Sequence, residues 1–248
     1  MRIAAVYDIH GNLPALEAVL DEIARAGVEH VVVGGDVVPG PMPRECLARL
    51  LEPGVPTTFI RGNGEGEVLG VLDGAEPTGL PPGVEEVLRW VAGELAPEET
   101  AVLRSWPETA RLDVEGIGAA LFCHATPRND RDIFTRRTPE AALLPLFDAV
   151  DAELVVCGHT HMQFDRTVGG VRVVNAGSVG MPFGEPGAYW LLLDSDVELR
   201  RTDYDLRAAA HRILETAYPQ AEHFAENDVL NPRSEADVLE AFEAAAVG

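Results

Sequence analysis

Two aspartates, an asparagine and four histidines each stand at the end of a short apolar run, and together they have the chemistry of a metal site. Asp8 and His10 follow IAAVY, Asp36 follows VVVGG, Asn63 follows TTFIRG, His124 follows ALFC, and His159 and His161 follow LVVCG. Carboxylate, imidazole and amide donors suit divalent ions such as Mn, Fe, Zn or Co. The Asp8-x-His10 spacing sets two donors on one side as the chain leaves a strand, and His159-x-His161 repeats the arrangement. A carboxylate such as Asp36 can bridge two ions, which a neutral imidazole cannot. Two ions about 3.5–4 Å apart can clamp a phosphoryl group, lower the pKa of a bridging water and stabilise the leaving oxygen. A lone histidine at a strand end is ordinarily solvated or hydrogen-bonded; the weight falls on the placement that all seven residues share.

The apolar runs are short and β-branched enough to be buried strands, and the carboxyl ends of strands in an open α/β sheet converge on one rim. The first third predicts a strand at about 2–7, a helix at about 13–26 stopped by Gly27, a strand at 30–33, a helix at 43–51 and a strand at 57–60. Such alternation implies parallel pairing with right-handed crossovers. From Gly64 to Pro82, glycine and proline predict an irregular loop, followed by helices at 84–95 and 97–105. This helical insertion, about 64–108, follows Asn63 directly and is placed to wall or cover the site. Next come strands at 111–115 and 119–123 around a Gly116–Gly118 turn, a helix at 139–150, a strand at 153–157, and strands at 164–168 and 171–175 around Gly169-Gly170. Strands at 190–194 and 197–202 follow. Helices at 206–218 and 234–245 make a C-terminal extension, about 205–248. A parallel half followed by an antiparallel half implies two sheets face to face with helices outside, in a single domain spanning 1–248.

All 19 basic residues are arginine, and the formal net charge is −22. Such a field disfavours stable binding to nucleic acid or anionic lipid. It leaves small phosphorylated molecules open as partners, because bound cations reverse the local field. No apolar run approaches the roughly 18 residues of a membrane span, and the N-terminal segment is too short for a signal peptide. Cys46, Cys123 and Cys157 form no CxxC pair, and the latter two lie in apolar runs. A cytoplasmic location is expected, with oligomerisation open.

The ordered set Asp8-x-His10, Gly35-Asp36, Gly62-Asn63, His124 and Gly158-His159-x-His161 resembles the calcineurin-like metallophosphoesterase superfamily from residue 2 to about 194. Three stretches are similar to its small bacterial and archaeal phosphodiesterase-like branch: Asp8–Asn12, Cys123–Pro127 and Asn175–Gly180. The resemblance implies a four-layer α/β/β/α sandwich of two mixed sheets with helices outside. It implies one metal on Asp8, His10 and His161 with bridging Asp36, and a second on Asn63, His124 and His159, with manganese the default. A bridging hydroxide is then the nucleophile, with Asp36 and His124 catalytic through it.

One position departs from the family pattern. Where the family often carries a histidine that protonates the leaving group, this chain has Gly64, followed by Glu65. General acid catalysis is typically worth about 10²–10⁴-fold, so the departure favours phosphodiesters over alkyl monoesters. Glu65 reads as a solvated or supporting carboxylate rather than a replacement acid. Arg128 and Arg131, from the cluster that also holds Arg136 and Arg137, are candidate phosphate forks; the alternative is pairing with Asp130, Asp132 and Glu140. Asn12 and Asn63 complete the candidate substrate contacts. Asn175 and Ser178 read as support for a turn behind the metal histidines, Arg61 as structural, and Trp90 and Trp106 as core of the insertion. The alternatives are a phosphomonoesterase, a dinucleoside polyphosphate hydrolase, or a low-activity interaction scaffold such as the small retromer subunit of this fold. The complete ligand set favours an enzyme.

Overall fold

The computed structural model describes all residues except 53, 78, 79, 81, 82 and 246–248. In chain order, β1 (Ile3–Val6), α1 (Leu13–Arg25), β2 (His30–Val33), α2 (Pro43–Leu51) and β3 (Thr57–Phe59) alternate as expected. Then come α3 (Asn63–Leu72), α4 (Val84–Glu94) and α5 (Pro97–Ser105), and the hairpin β4 (Thr109–Val114) and β5 (Gly118–Cys123). The next elements are α6 (Glu140–Phe147), β6 (Leu154–Cys157), β7 (Phe164–Val168), β8 (Val171–Asn175), β9 (Ala188–Leu193) and β10 (Val197–Thr202). The chain ends with α7 (Leu206–Leu214), α8 (Ala221–Phe224), a π-helical turn (Ala225–Leu230) and α9 (Glu235–Ala245).

Among the described residues two five-stranded sheets form, ordered β10-β9-β1-β2-β3 and β4-β5-β6-β8-β7. β1 pairs parallel with β2 and antiparallel with β9; in the second sheet β6 pairs parallel with both β5 and β8. Strand alternation divides β1 between two cores. Ala4 and Val6 pack with Leu16 and Val19 of α1. Ile3, Ala5 and Tyr7 enter the layer between the sheets, with Phe122, Val156 and Val174. The outer face of the second sheet buries Leu121, Cys123 and Val155 with Leu143 and Phe147 of α6. These three apolar layers make the α/β/β/α sandwich, and burying each large aliphatic side chain in them stabilises by roughly 1.5–3 kcal/mol.

Three expectations are corrected. The sheets are not a parallel half and an antiparallel half: β9, buried except for a half-buried Tyr189, returns to lie beside β1, so both sheets are mixed. Its near-continuous apolar run demands cover on both faces, which only an interior position supplies. The segment read as loop from Gly64 begins with α3. Its glycines each cost a helix about 1 kcal/mol, but buried Val68 and Leu69 and an anchoring Glu65 outweigh them. The part of that reading at 78, 79, 81 and 82, like the last three residues of the C-terminal extension, lies outside the described residues. Finally, the helix expected at 206–218 ends at Leu214, and α8 with its π-helical turn follows. Among the described residues no helix is long and apolar enough to cross a membrane.

Candidate functional site

The loops leaving β1, β2 and β6 carry the site on unusual backbone. Asp8, His10, Asp36, His159 and His161 all have positive φ, between 47° and 66°, and among the described residues no other non-glycine does. A left-handed residue with a Cβ costs about 1–2 kcal/mol, and such strain clusters where function over-determines the chain. Here the loops hold one another. Asp8 N–H donates to Gly35 O at 3.1 Å, His10 N–H to Asp36 O at 2.9 Å, and Gly158 N–H to His124 O at 2.9 Å. A Cβ on Gly62 would stand 2.2 Å from Asp36 Oδ1, so only glycine fits there.

The donors converge with their lone pairs unopposed. His10, His124 and His161 each turn Nδ1 to a backbone carbonyl: Pro39 O at 3.1 Å, Gly34 O at 2.9 Å and Met181 O at 2.7 Å. As Nδ1–H donors to these carbonyls, they aim bare Nε2 atoms inward, the usual arrangement behind a ligating imidazole. His10 Nε2 lies 3.1 Å from His161 Nε2, and two such lone pairs do not attract. Asp8 Oδ1, fully buried, has no hydrogen-bond partner and lies 3.4 Å from His161 Nε2 and 3.8 Å from His124 Nε2. Buried carboxylate oxygens are normally satisfied; a cation would satisfy this one. Asp8, His10 and His161 form one group with metal-ligating spacing, and Asp8, Asp36 and His124 another. One terminal atom of the Asn63 amide lies 3.1 Å from His124 Nε2 and 3.0 Å from His159 Nδ1. Presented as oxygen, it makes a third lone pair meeting two; presented as nitrogen, it donates to both. These residues therefore fit divalent metal.

Electrostatics follow from burial and crowding. Burial would raise the Asp8 carboxyl, but His161, His124 and His10 around it hold it well below the usual carboxylate range. Burial, with His161 adjacent, pushes His10 down to about 3. Burial and His124 do the same to His159, also to about 3. Asp36 is raised by burial despite His124. His124 and His161 are raised: burial opposes this, and the charges of Asp36 and Asp8 for the first, and of Asp8 for the second, outweigh it.

Glu65 is not solvated. It is fully buried, and its two oxygens accept backbone N–H groups from Asp36 (2.8 Å), Val37 (2.6 Å), Val38 (3.2 Å) and Gly62 (2.9 Å). It thus ties the Asp36 loop to the start of α3, as the acidic member of a capping box does. Burial and the neighbouring Asp36 push it up to about 7. Gly64 N–H donates to Asp36 Oδ1 at 2.7 Å. A Cβ at Gly64 would sit 2.4 Å from Pro39 Cγ and 2.8 Å from Asp36 Oδ1. The missing histidine is therefore a steric requirement of this loop as well as a lost acid.

Other residues are placed as follows. Asn12 is buried and turned inward. Its Oδ1 caps α1 at Ala15 N, and its Nδ2 donates to Gly180 O and Tyr204 Oη, which leaves no donor for a substrate. Asn175 Nδ2 donates to Gly158 O, and Ser178 Oγ to Asp8 O, so both brace the ligand loops. Arg128 forks onto Asp132, and Arg131 reaches Glu67 at 2.7 Å and Asp130 at 3.8 Å. Arg136 and Arg137 pair with Glu235 and Glu243, latching α9; Glu140 instead accepts from Gly169 N–H. Arg61 pairs with Glu108. Trp90 meets Tyr218 edge-on and Trp106 stacks on Phe59.

A cavity of about 290 Å³ opens over His10, Asp36, Asn63 and Gly64. Val84, Val87 and Leu88 of α4 line it, as do Glu67 of α3, Tyr218, His223, Phe224 and Asp228. The insertion therefore walls the site. The C-terminal segment supplies the facing wall, which no pattern in the sequence announced; clustered His223 and Asp228 beside apolar Phe224 were the available signal. Burial pushes Asp228 up to about 6 against the pull of His223 and His161. Phe183 stacks on the His161 ring and meets Phe242 of α9 edge-on, so the extension also buttresses a ligand.

Over residues 1–197 the chain matches the sequence model of the calcineurin-like phosphoesterase superfamily domain. It is 26% identical over 245 residues to the uncharacterized protein MJ0912 of Methanocaldococcus jannaschii, covering 88% of this chain and 94% of that one. It is 29% identical over 206 residues to phosphodiesterase YfcE of Escherichia coli K12, covering 79% and 89%. The crystal structure of a metallophosphoesterase from Sphaerobacter thermophilus matches with a TM-score of 0.68 at 28% identity, over 91% of this chain and 97% of the other.

Proposed function

The chain belongs to the calcineurin-like phosphoesterase superfamily, a family of metal-dependent phosphoester hydrolases, and on that premise we propose that it is a two-metal phosphodiesterase acting on a small phosphorylated molecule. The observation that carries this reading is the convergence of Asp8, His10, Asp36, His124 and His161 at metal-ligating spacing, with Asn63 and His159 beside His124 and five of the seven on left-handed backbone. Asp8, His10 and His161 would hold one ion and Asn63, His124 and His159 the other, with Asp36 between them; manganese is the assignment by default. Divalent ions bound there would supply charge to the phosphoryl oxygens and bring the pKa of water toward neutrality.

The remaining work falls to the chain itself. Backbone carbonyls of Pro39, Gly34 and Met181 hold three imidazoles in one tautomer and one orientation. Gly64 N–H and Glu65 fix the carboxylate and the backbone of Asp36. The helical walls exclude water from one side of the reacting centre. With glycine at position 64, no side chain there protonates the leaving oxygen, so esters of acidic alcohols and phenols turn over best. The relative named as a phosphodiesterase supports the diester preference. Arg131 would reach substrate by exchanging Glu67 for a phosphoryl oxygen. Three buried free thiols suit the cytoplasm.

The test is hydrolysis of bis-(p-nitrophenyl) phosphate by protein reconstituted with Mn, Fe, Zn or Co, with Asp36→Asn alongside and metal content measured. Turnover that Asp36→Asn abolishes is expected. Absence of turnover with every ion, or equal turnover in the variant, sinks the proposal.

A further inference from the structure

The wall facing the metal ligands differs from what a highly charged substrate would need. On the insertion side it is Val84, Val87 and Leu88; on the C-terminal side Tyr218 and Phe224 stand with polar Gln220, His223 and Asp228, and Met181 also lines the cavity. Among the described residues none of the lining is arginine, and the sequence contains no lysine. The anionic groups on this wall are Glu67 and Asp228. Arg131 is engaged with Glu67 at 2.7 Å and with Asp130. His223 Nδ1 lies 3.2 Å from the Asn227 amide nitrogen. The cavity, about 290 Å³, is at the low end of the roughly 300–1,000 Å³ usual for ligand pockets.

We propose that the substrate carries a single phosphoryl group and an uncharged, largely apolar ester arm of about one aromatic ring, and that molecules bearing further phosphates or carboxylates are rejected. This rests on the phosphoesterase reading above. The phosphoryl group goes to the donor cluster. The arm lies between α4 and α8 against Val84, Val87 and Phe224, where burying apolar surface favours binding at roughly 25 cal/mol per Å². A second anionic group in that space meets Glu67 and Asp228 with no arginine in the lining, and Arg131, on leaving Glu67 for the first phosphoryl group, bares that carboxylate. Recognition of polyphosphates depends on such forks or on additional cations, so a dinucleoside polyphosphate is excluded by charge as well as by volume.

Three p-nitrophenyl phosphodiesters that differ only in the second arm (methyl, phenyl and 4-carboxyphenyl) test this with the metal-reconstituted full chain. The phenyl ester is expected to exceed both others in kcat/KM by at least about ten-fold, the fold-change of about 1.4 kcal/mol. Calorimetry with phenylphosphonate and 4-carboxyphenylphosphonate is expected to give the same order in Kd. Val84→Arg, on a half-buried position, and Asp228→Asn are each expected to narrow the gap between phenyl and carboxyphenyl arms at least three-fold. Turnover of all three esters at equal rates, or tighter binding of the carboxylated phosphonate, overturns the inference and leaves the phosphoesterase reading standing. No turnover of any ester overturns both.

Discussion

At the rim of the sheets, seven polar side chains gather, five of them on strained left-handed backbone; in the same cavity, α4 and α8 present valine, leucine and phenylalanine. The two sides are built for different jobs. The rim stores backbone strain and crowded charge that native contacts must hold in place, an arrangement that suits cations. The wall is an ordinary helical surface whose apolar residues continue the core outside the first sheet. On the proposed function, reaction chemistry falls to short local motifs, and selectivity to elements elsewhere in the chain.

If that division is right, rim substitutions should act on metal and rate, and wall substitutions on stability and selectivity. The largest effect is expected from Asp8→Asn, which halves the charge of the cluster's buried carboxylates. Activity should fall by about 10²–10³-fold or more and metal content below that of the parent, measured by elemental analysis. Retained metal with full activity would break the comparison. Next is Glu65→Ala, which leaves the N–H groups of Asp36, Val37, Val38 and Gly62 without their acceptor. A loss of about 3 kcal/mol or more is expected in urea unfolding. Gly64→Ala comes third. Its Cβ must displace Pro39 or the Asp36 carboxylate, so it should cost about 1–3 kcal/mol and lower, not raise, turnover; Gly64→His should fare no better.

The smallest effect lies on the wall and depends on pH. Asp228 has its pKa raised from 3.8 to about 6 by burial, so the folded chain favours its protonated form. That contribution is fully present below the unfolded pKa near 4 and is lost as pH rises through 6. Asp228→Asn should therefore stabilise the metal-free protein at pH 7 by on the order of 1–2 kcal/mol, with the gain vanishing near pH 4. Thermal unfolding across that range reads it directly, and an equal gain at both ends would rule out titration of Asp228 as its source.

The gathering of the donor side chains and the sandwich were legible because each rests on local information. Apolar runs such as IAAVY and LVVC name their strands, and the polar residue ending each run has one rim to go to. What escaped was set by long-range packing. Glycine-rich α3 forms because Glu65, deep in the fold, anchors it. Position alone left Asn12 open between orienting a ligand and binding phosphate; in the fold its side chain caps α1. The four-arginine cluster left substrate contact and pairing with nearby acids both open, and in the fold it divides: Arg128 and Arg131 pair with nearby acids, while Arg136 and Arg137 latch α9.

By itself the sequence determined which side chains could ligate metal, their order along the chain, and that strand ends would gather them, because strand periodicity and donor chemistry are properties of neighbouring residues. Tertiary structure alone decided that Gly64 has no room for a side chain, and that residues 218–228 close the cavity opposite α4 with acid and apolar groups. Those facts depend on distances between segments about 25 residues apart in the first case and more than a hundred in the second, and no local pattern encodes such a distance.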